Sequence, residues 1–236
     1  MKLDQHFMID EDLSKRIVDY ANISPKEKVL EIGPGKGALT KYLVKKANIT
    51  AVEIDSELCK ELKSLKLKNI KIVNDNVLNF SGDFDIIVSN LPYNICEPYF
   101  NVLIKKEFKR GIFCVPISFA DRLIREKSLL SLIMPLFFKI KILEVVPKTA
   151  FLPVPKVDSA IISIEKRAYN TEKNQIVKDI YLQSDKKLKG AIQETYCIVN
   201  KLTKKEAKEK IPNLKFLEKR VYTLNYGEWK ELISRL

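Results

Sequence analysis

Short apolar runs alternate with stretches of helical period through the first two thirds of the chain. Residues 28–32, 49–54, 70–73, 84–89 and 111–115 have the length and β-branched content of buried strands. Between and before them, apolar positions recur at helical spacing. Leu13, Ile17, Val18 and Ala21 share one face of a helix that Asp10 or Asp12 would cap. Further helices are expected over 38–46, 56–65, 97–106 and 118–126. The longest apolar run, 129–138, is broken at Pro135 and reads as a sixth strand extending irregularly toward Val146. Residues 159–164 read as a seventh. Strand and helix in alternation predict an α/β fold with a mostly parallel, doubly wound sheet. No helix separates the last two strands, so one of them is expected to run antiparallel. Beyond residue 167 the pattern becomes helical, over 173–182, 185–199, 203–210 and 226–236. The expected domains are therefore 1–167, a sheet domain, and 168–236, a small basic helical domain.

Composition and charge refine this picture. The 236 residues suit one large domain with an appendage, and 46% hydrophobic content is enough for a core. The formal net charge is +12. Residues 169–236 hold 15 Lys and Arg against 9 Asp and Glu, and the first 168 hold 27 against 21. The tail is thus more than twice as basic per residue, which favours a polyanion partner such as nucleic acid. Four cysteines without C-x-x-C spacing argue against zinc and for a reducing compartment. The polar first residues and the absence of a long apolar run exclude a secretory leader and a membrane span, so a cytoplasmic protein is expected.

The candidate chemistry lies at the strand ends, the edge where open α/β sheets bind ligands. Residues 28–32 run into Gly33-Pro34-Gly35-Lys36-Gly37 and then a helix. Such a loop brings backbone close to a nucleotide-like ligand, although the spacing is G-x-G-x-G and no phosphate-loop Lys-Ser/Thr follows. Glu53 ends the next strand, 20 residues after Gly33, where an acid can accept from both hydroxyls of a ribose. Asp75 ends the third strand; it suits an adenine amino group, and equally a turn. The fourth delivers Asn90-Leu91-Pro92-Tyr93. Pro92 restrains Leu91 to an extended shape, so the Asn90 amide and the Leu91 carbonyl can accept both hydrogens of one amino group. Tyr93 offers a flat face to a planar ring. The plain alternative is a strand-end turn with a packing tyrosine.

Five segments in this order resemble the KsgA-type rRNA adenine N6,N6-dimethyltransferases. They are Gln5-His6-Phe7, Leu30 to Thr40, Val52-Glu53-Ile54-Asp55, Asn90 to Ile95, and Phe151-Leu152-Pro153-Val154-Pro155-Lys156-Val157-Asp158-Ser159. The likeness covers residues 1–167; in the tail it is weaker, at Leu217 to Val221 and Trp229. It implies a Rossmann-like class I methyltransferase domain, S-adenosyl-L-methionine as cofactor, and no metal. Carried over, Gln5, His6 and Met8 would line the methionine and ribose side, Gly33 and Gly35 the methionine end. Glu53 would take the ribose and Asp75 the adenine. Asn90 would border both ligands, holding the target amine with Leu91 and Pro92, and Tyr93 and Phe151 would sandwich the target base. On composition alone Phe151 reads as packing. The implied partner is small-subunit rRNA in a pre-ribosomal particle, bound by a monomer away from membranes.

The chain departs from the family in two places. The Gln-x-Glu step after the fifth strand is replaced by Pro116-Ile117-Ser118, and the following loop is cut to Arg125-Glu126-Lys127-Ser128. Other readings are a large-subunit rRNA adenine methyltransferase and a catalytically silent nucleic-acid-binding relative. The Leu91 and Asn94-Ile95 context favours the small-subunit type; an intact Glu53 and Asn90-Leu91-Pro92-Tyr93 argue against silence.

Overall fold

A computed structural model of the chain describes residues 5–125, 128–167 and 171–236. The elements of the sheet unit are β1 (Phe7–Met8), α1 (Glu11–Tyr20), β2 (Val29–Ile32), α2 (Thr40–Leu43), β3 (Ile49–Glu53), α3 (Ser56–Ser64), β4 (Ile70–Asn74), β5 (Ile86–Asn90), α4 (Cys96–Leu103), β6 (Arg110–Pro116) and α5 (Ile117–Ile124). After α6 (Leu129–Phe137) come β7 (Phe138–Val146), β8 (Phe151–Leu152) and β9 (Ser159–Lys166). The seven-stranded sheet has the order β4-β3-β2-β5-β6-β9-β7. The first five are mutually parallel, and β9 runs antiparallel to both β6 and β7. This is the mostly parallel α/β sheet that the alternation predicts, with its antiparallel member among the last two strands.

Helix starts follow local chemistry. Asp10 caps α1, accepting from Leu13 N at 2.9 Å. Asp55 caps α3 through Glu57 N and Leu58 N. The helix expected over 38–46 is shorter, with α helix only at Thr40–Leu43. The central strands β2 and β5 are buried on both faces, as parallel strands flanked by helices must be.

The run 129–138 is not a strand. Leu129–Phe137 forms α6, and the sixth strand begins only at Phe138. A continuous apolar run has no period of its own to separate strand from buried helix. The separating detail is local. Ser128 and Ser131 cap the helix reciprocally, each side chain accepting from the other's backbone N–H at 3.0 Å. Leu130, Ile133, Met134 and Phe137 are buried, which is helical spacing. Glu126 and Lys127, within the shortened loop, lie outside the described residues, as do Ala168, Tyr169 and Asn170 at the expected domain boundary.

Packing divides the chain into two compact units, Met1–Ile124 with Phe138–Lys166, and Arg125–Phe137 with Arg167–Leu236. Residues 125–137, expected in the sheet domain, thus group with the tail. Within that second unit the Leu136 carbonyl accepts from Asn174 Nδ2 at 3.0 Å. Its other helices are α7 (Glu172–Leu182), α8 (Leu188–Val199), α9 (Lys204–Glu209) and α10 (Tyr226–Arg235). Trp229 is buried there, its ring 5.7 Å from that of Tyr181.

The helical assignment of α6 predicts unequal leucines. Leu130→Ala should cost about 2–5 kcal/mol by urea unfolding, and Leu132→Ala and Leu136→Ala clearly less. A strand would put all three on one face, so equal losses would contradict the helix.

Candidate active site

The cavity lies beyond the carboxyl ends of the parallel strands, and all its walls belong to the sheet unit. Its floor is the glycine loop after β2. Gly33 and Gly35 have φ of 60° and 54°, a left-handed backbone that other residues adopt only at a cost. Space adds a second demand at Gly35, where a Cβ would sit only 3.1 Å from the Phe7 ring; one on Gly33 would be in ordinary contact with the Pro92 ring, at 3.6 Å. The loop therefore lies between Pro92 on one side and Phe7 of the N-terminal segment on the other, tightly only at Phe7.

Glu53 is buried at the end of β3 and its two oxygens are aimed by backbone. Oε2 accepts from Gly35 N and Oε1 from Asp55 N, both at 3.1 Å. Each oxygen keeps a further lone pair for a hydroxyl. Asn90, at the end of β5, donates from Nδ2 to the His6 carbonyl at 3.0 Å. Only the amide nitrogen can donate, so Oδ1 remains an acceptor. Leu91 N donates to the Cys114 carbonyl at 3.0 Å, which fixes the backbone leaving the sheet. Tyr93 is half-buried, its hydroxyl 2.6 Å from Ser159 Oγ and its ring 5.3 Å from that of His6. His6 donates from Nδ1 to the Pro153 carbonyl at 2.7 Å.

Gln5, His6, Met8, Gly33, Gly35, Glu53, Asn90, Leu91, Pro92 and Tyr93 all line this one cavity. Two expected residues do not. Phe151 pairs with Met8 in the small β1–β8 sheet and is 1% exposed, its ring packed in the main core. The second face expected for the target base is therefore absent from the cavity wall. Asp75 is exposed just past β4, its carboxylate accepting from Asn76 N at 2.7 Å, and Asn76 lines the cavity instead. Among the described residues no group of three His, Cys, Asp or Glu is placed to hold a metal ion, and no helix is long and apolar enough to cross a membrane.

Phe7 and Glu31 are among the lining residues to which the sequence assigned no role. Phe7 covers Gly35, with the Lys36 ammonium 5.2 Å from its ring centroid. Glu31 is 1% exposed, and its Oε2 has no hydrogen-bond partner. Burial pushes its carboxyl up to about 8; Thr40 opposes the shift and the Glu53 charge adds to it. The signal was an acid inside the otherwise apolar run Val29-Leu30-Glu31-Ile32.

Glycine loop, acid at the next strand end and Asn-Leu-Pro-Tyr at the central strand end, on this sheet order, define a class I methyltransferase. Comparison with known proteins narrows the class. Residues 1–233 match the family described as Ribosomal RNA adenine dimethylase, and the chain belongs to that family. A "Probable ribosomal RNA small subunit methyltransferase A" of Methanosarcina barkeri is 37% identical over 227 residues, 90% of this chain and 76% of that one. One of the same name from Thermococcus gammatolerans is 33% identical, over 96% of this chain and 85% of that one. Among solved structures, a dimethyladenosine transferase from Plasmodium falciparum superposes with a TM-score of 0.68 at 24% identity, covering 96% of both chains. The 23S rRNA methyltransferase ErmE gives 0.66 at 25%, covering 98% of this chain and 99% of that one.

Glu31 makes a pH prediction. Its carboxyl titrates near 8 when folded and near the ordinary 4.5 when unfolded. Between those values the folded protein holds a proton that the unfolded chain has lost, so this group's contribution to stability falls as pH rises. The slope is at most about 1.4 kcal/mol per pH unit. Glu31→Gln removes it. The ligand-free variant should therefore gain melting temperature over the parent more at pH 8 than at pH 5, and equal differences at both would refute the shift.

Proposed function

We propose that the cavity binds S-adenosyl-L-methionine and that the protein dimethylates N6 of two adjacent adenines in a small-subunit rRNA hairpin. It would act as a cytoplasmic monomer on a pre-ribosomal particle. The observation that carries this reading is the orientation of Asn90, whose Nδ2 is taken by the His6 carbonyl so that Oδ1 is left to accept. That is the group an exocyclic amine requires. The relatives' names point to the same substrate class.

The residues fit the cofactor. Glu53 offers two aimed oxygens for a ribose diol. The Glu31 carboxyl has an oxygen without a partner, and a ligand that carries positive charge beside it would favour its ionised form. The loop at Gly33 and Gly35 borders the cavity where the cofactor's amino-acid end would lie. Asn76, rather than Asp75, is the polar side chain that the end of β4 contributes to the wall. The cofactor supplies an activated methyl on a sulfonium.

The chain's own contribution is alignment. An adenine amino nitrogen is a poor nucleophile because its lone pair delocalises into the ring. Accepting both its hydrogens, at Asn90 Oδ1 and the Leu91 carbonyl, favours a pyramidal nitrogen with the lone pair aimed at the methyl. No strong base is needed before attack, and alignment supplies several kcal/mol. Extracting the base costs a few kcal/mol, of which stacking on Tyr93 returns roughly 1–3 kcal/mol. Phe151, buried in the core, is not assigned a share. The basic helical unit supplies a surface for RNA phosphates.

Asn90→Ala should abolish methyl transfer to unmodified small-subunit particles while leaving cofactor affinity within a few-fold by calorimetry. Equal collapse of both would move Asn90 wholly into the cofactor site. Glu53→Ala removes two hydrogen bonds to a charged group and should weaken cofactor binding by roughly 10-fold or more; unchanged affinity would refute the ribose role. Radiolabel from the cofactor should enter small-subunit RNA, and RNA affinity should fall steeply with salt. Label confined to large-subunit RNA would overturn the substrate assignment.

A further inference from the structure

The segment Phe151 to Ser159 joins the site through its far end. Ser159 opens β9, opposite Pro116 of β6 and Val146 of β7, and is fully buried. Its backbone is flanked by strands on both sides, so its hydroxyl has a fixed address. Tyr93 is different: it begins a short 3-10 turn, Tyr93–Ile95, outside any strand. Its hydroxyl nevertheless lies 2.6 Å from Ser159 Oγ, across 66 residues of chain.

A stacking surface needs only a ring, and phenylalanine would supply one. The phenol oxygen needs a partner when half-buried, and it adds a second fixed point at the far end of the ring. Pro92, with φ −53° and ψ 131°, sets where the Tyr93 backbone leaves. The hydrogen bond at the para position then limits rotation about both side-chain torsions. Residues on the sheet side thereby determine the plane presented to the cavity.

We propose that Ser159 is a positioning residue for the methyl-transfer reaction: its hydroxyl, anchored in the sheet, holds the Tyr93 ring in the plane on which the target base stacks. This rests on the reading of Tyr93 as the stacking face. It also gives the Phe151–Ser159 segment a role in target binding through Ser159, while the Phe151 ring is packed in the core.

Tyr93→Phe, Ser159→Ala and the double variant test it on the full chain, with unmodified small-subunit particles as substrate. Each single change should lower kcat/KM for the particle by roughly 2- to 12-fold, the size of one net hydrogen bond. Cofactor affinity by calorimetry should be unchanged. The double variant should be no worse than either single one, because both remove the same bond. A Ser159→Ala loss as large in the Tyr93→Phe background as in the parent would overturn the proposal, as would a Tyr93→Phe variant with parental kcat/KM. A merely structural defect would lower cofactor affinity as well. Tyr93→Ala separates this proposal from the reading beneath it: it should lose far more than Tyr93→Phe, and parental activity there would remove the stacking role itself.

Discussion

A side-chain amide has nearly the same shape in its two orientations, and only one of them accepts from an amino group. The Asn90 amide is turned by a single contact, the donation from Nδ2 to the His6 carbonyl. His6 is in turn held by its own ring on the Pro153 carbonyl and by the following pair, Phe7 opposite Leu152 and Met8 opposite Phe151. Ile9 N extends the pairing to the Ala150 carbonyl at 2.9 Å. The acceptor at the end of β5 is thus oriented by residues 6–9, and those are tied down by a segment nearly 150 residues later. Removing either side of this small two-stranded sheet would free the amide to turn, with no change in β5 itself.

The same economy governs the cofactor side. The Gly33 N–H is used by the Val52 carbonyl at 2.9 Å and the Gly35 N–H by the Glu53 carboxylate at 3.1 Å. The loop therefore aims the acid, and the acid shapes the loop. Pro92 rests close above Gly33. A stiff residue of the Asn90–Tyr93 turn is in this way the neighbour of the glycine loop, so the two proposed subsites share one wall. In a reaction whose barrier is lowered mainly by alignment, sharing a wall limits relative motion of donor and acceptor.

What was legible in the sequence was what backbone geometry dictates. Gly33, Glu53 and Asn90 had to share an edge once the strands were read as parallel, because each ends its strand. What was not legible depended on which way a side chain faces. Phe151 sits in a motif beside the site, yet the alternation of β8 turns its ring inward and leaves Leu152 outside at 60% exposure. Asp75 and Asn76 are adjacent, and a single residue of phase decided which one reaches the cavity. The 129–138 run was misread because an all-apolar segment carries no period, while the Ser128–Ser131 cap that marks the helix start is a two-residue signal. Glu31 lies within a strand whose other residues are apolar. Its neighbours Leu30 and Ile32 are core, and only burial in three dimensions distinguishes an acid that faces a cavity from one that would be intolerable.

The placement of charge sorts the two ligands of the proposed reaction. The chain as a whole carries +12, yet the cavity wall is close to neutral: the Glu53 carboxylate stands against Lys36, whose ammonium lies over the Phe7 ring, and burial keeps the Glu31 carboxyl protonated below about pH 8. A polyanion is drawn to the outside, where the excess charge is. Inside, burial is what keeps Glu31 neutral, so a cationic ligand beside it favours its ionised form and a neutral ligand does not. The proposed methyl transfer turns a sulfonium into a neutral thioether, so the charge that would favour an ionised Glu31 is lost with the methyl.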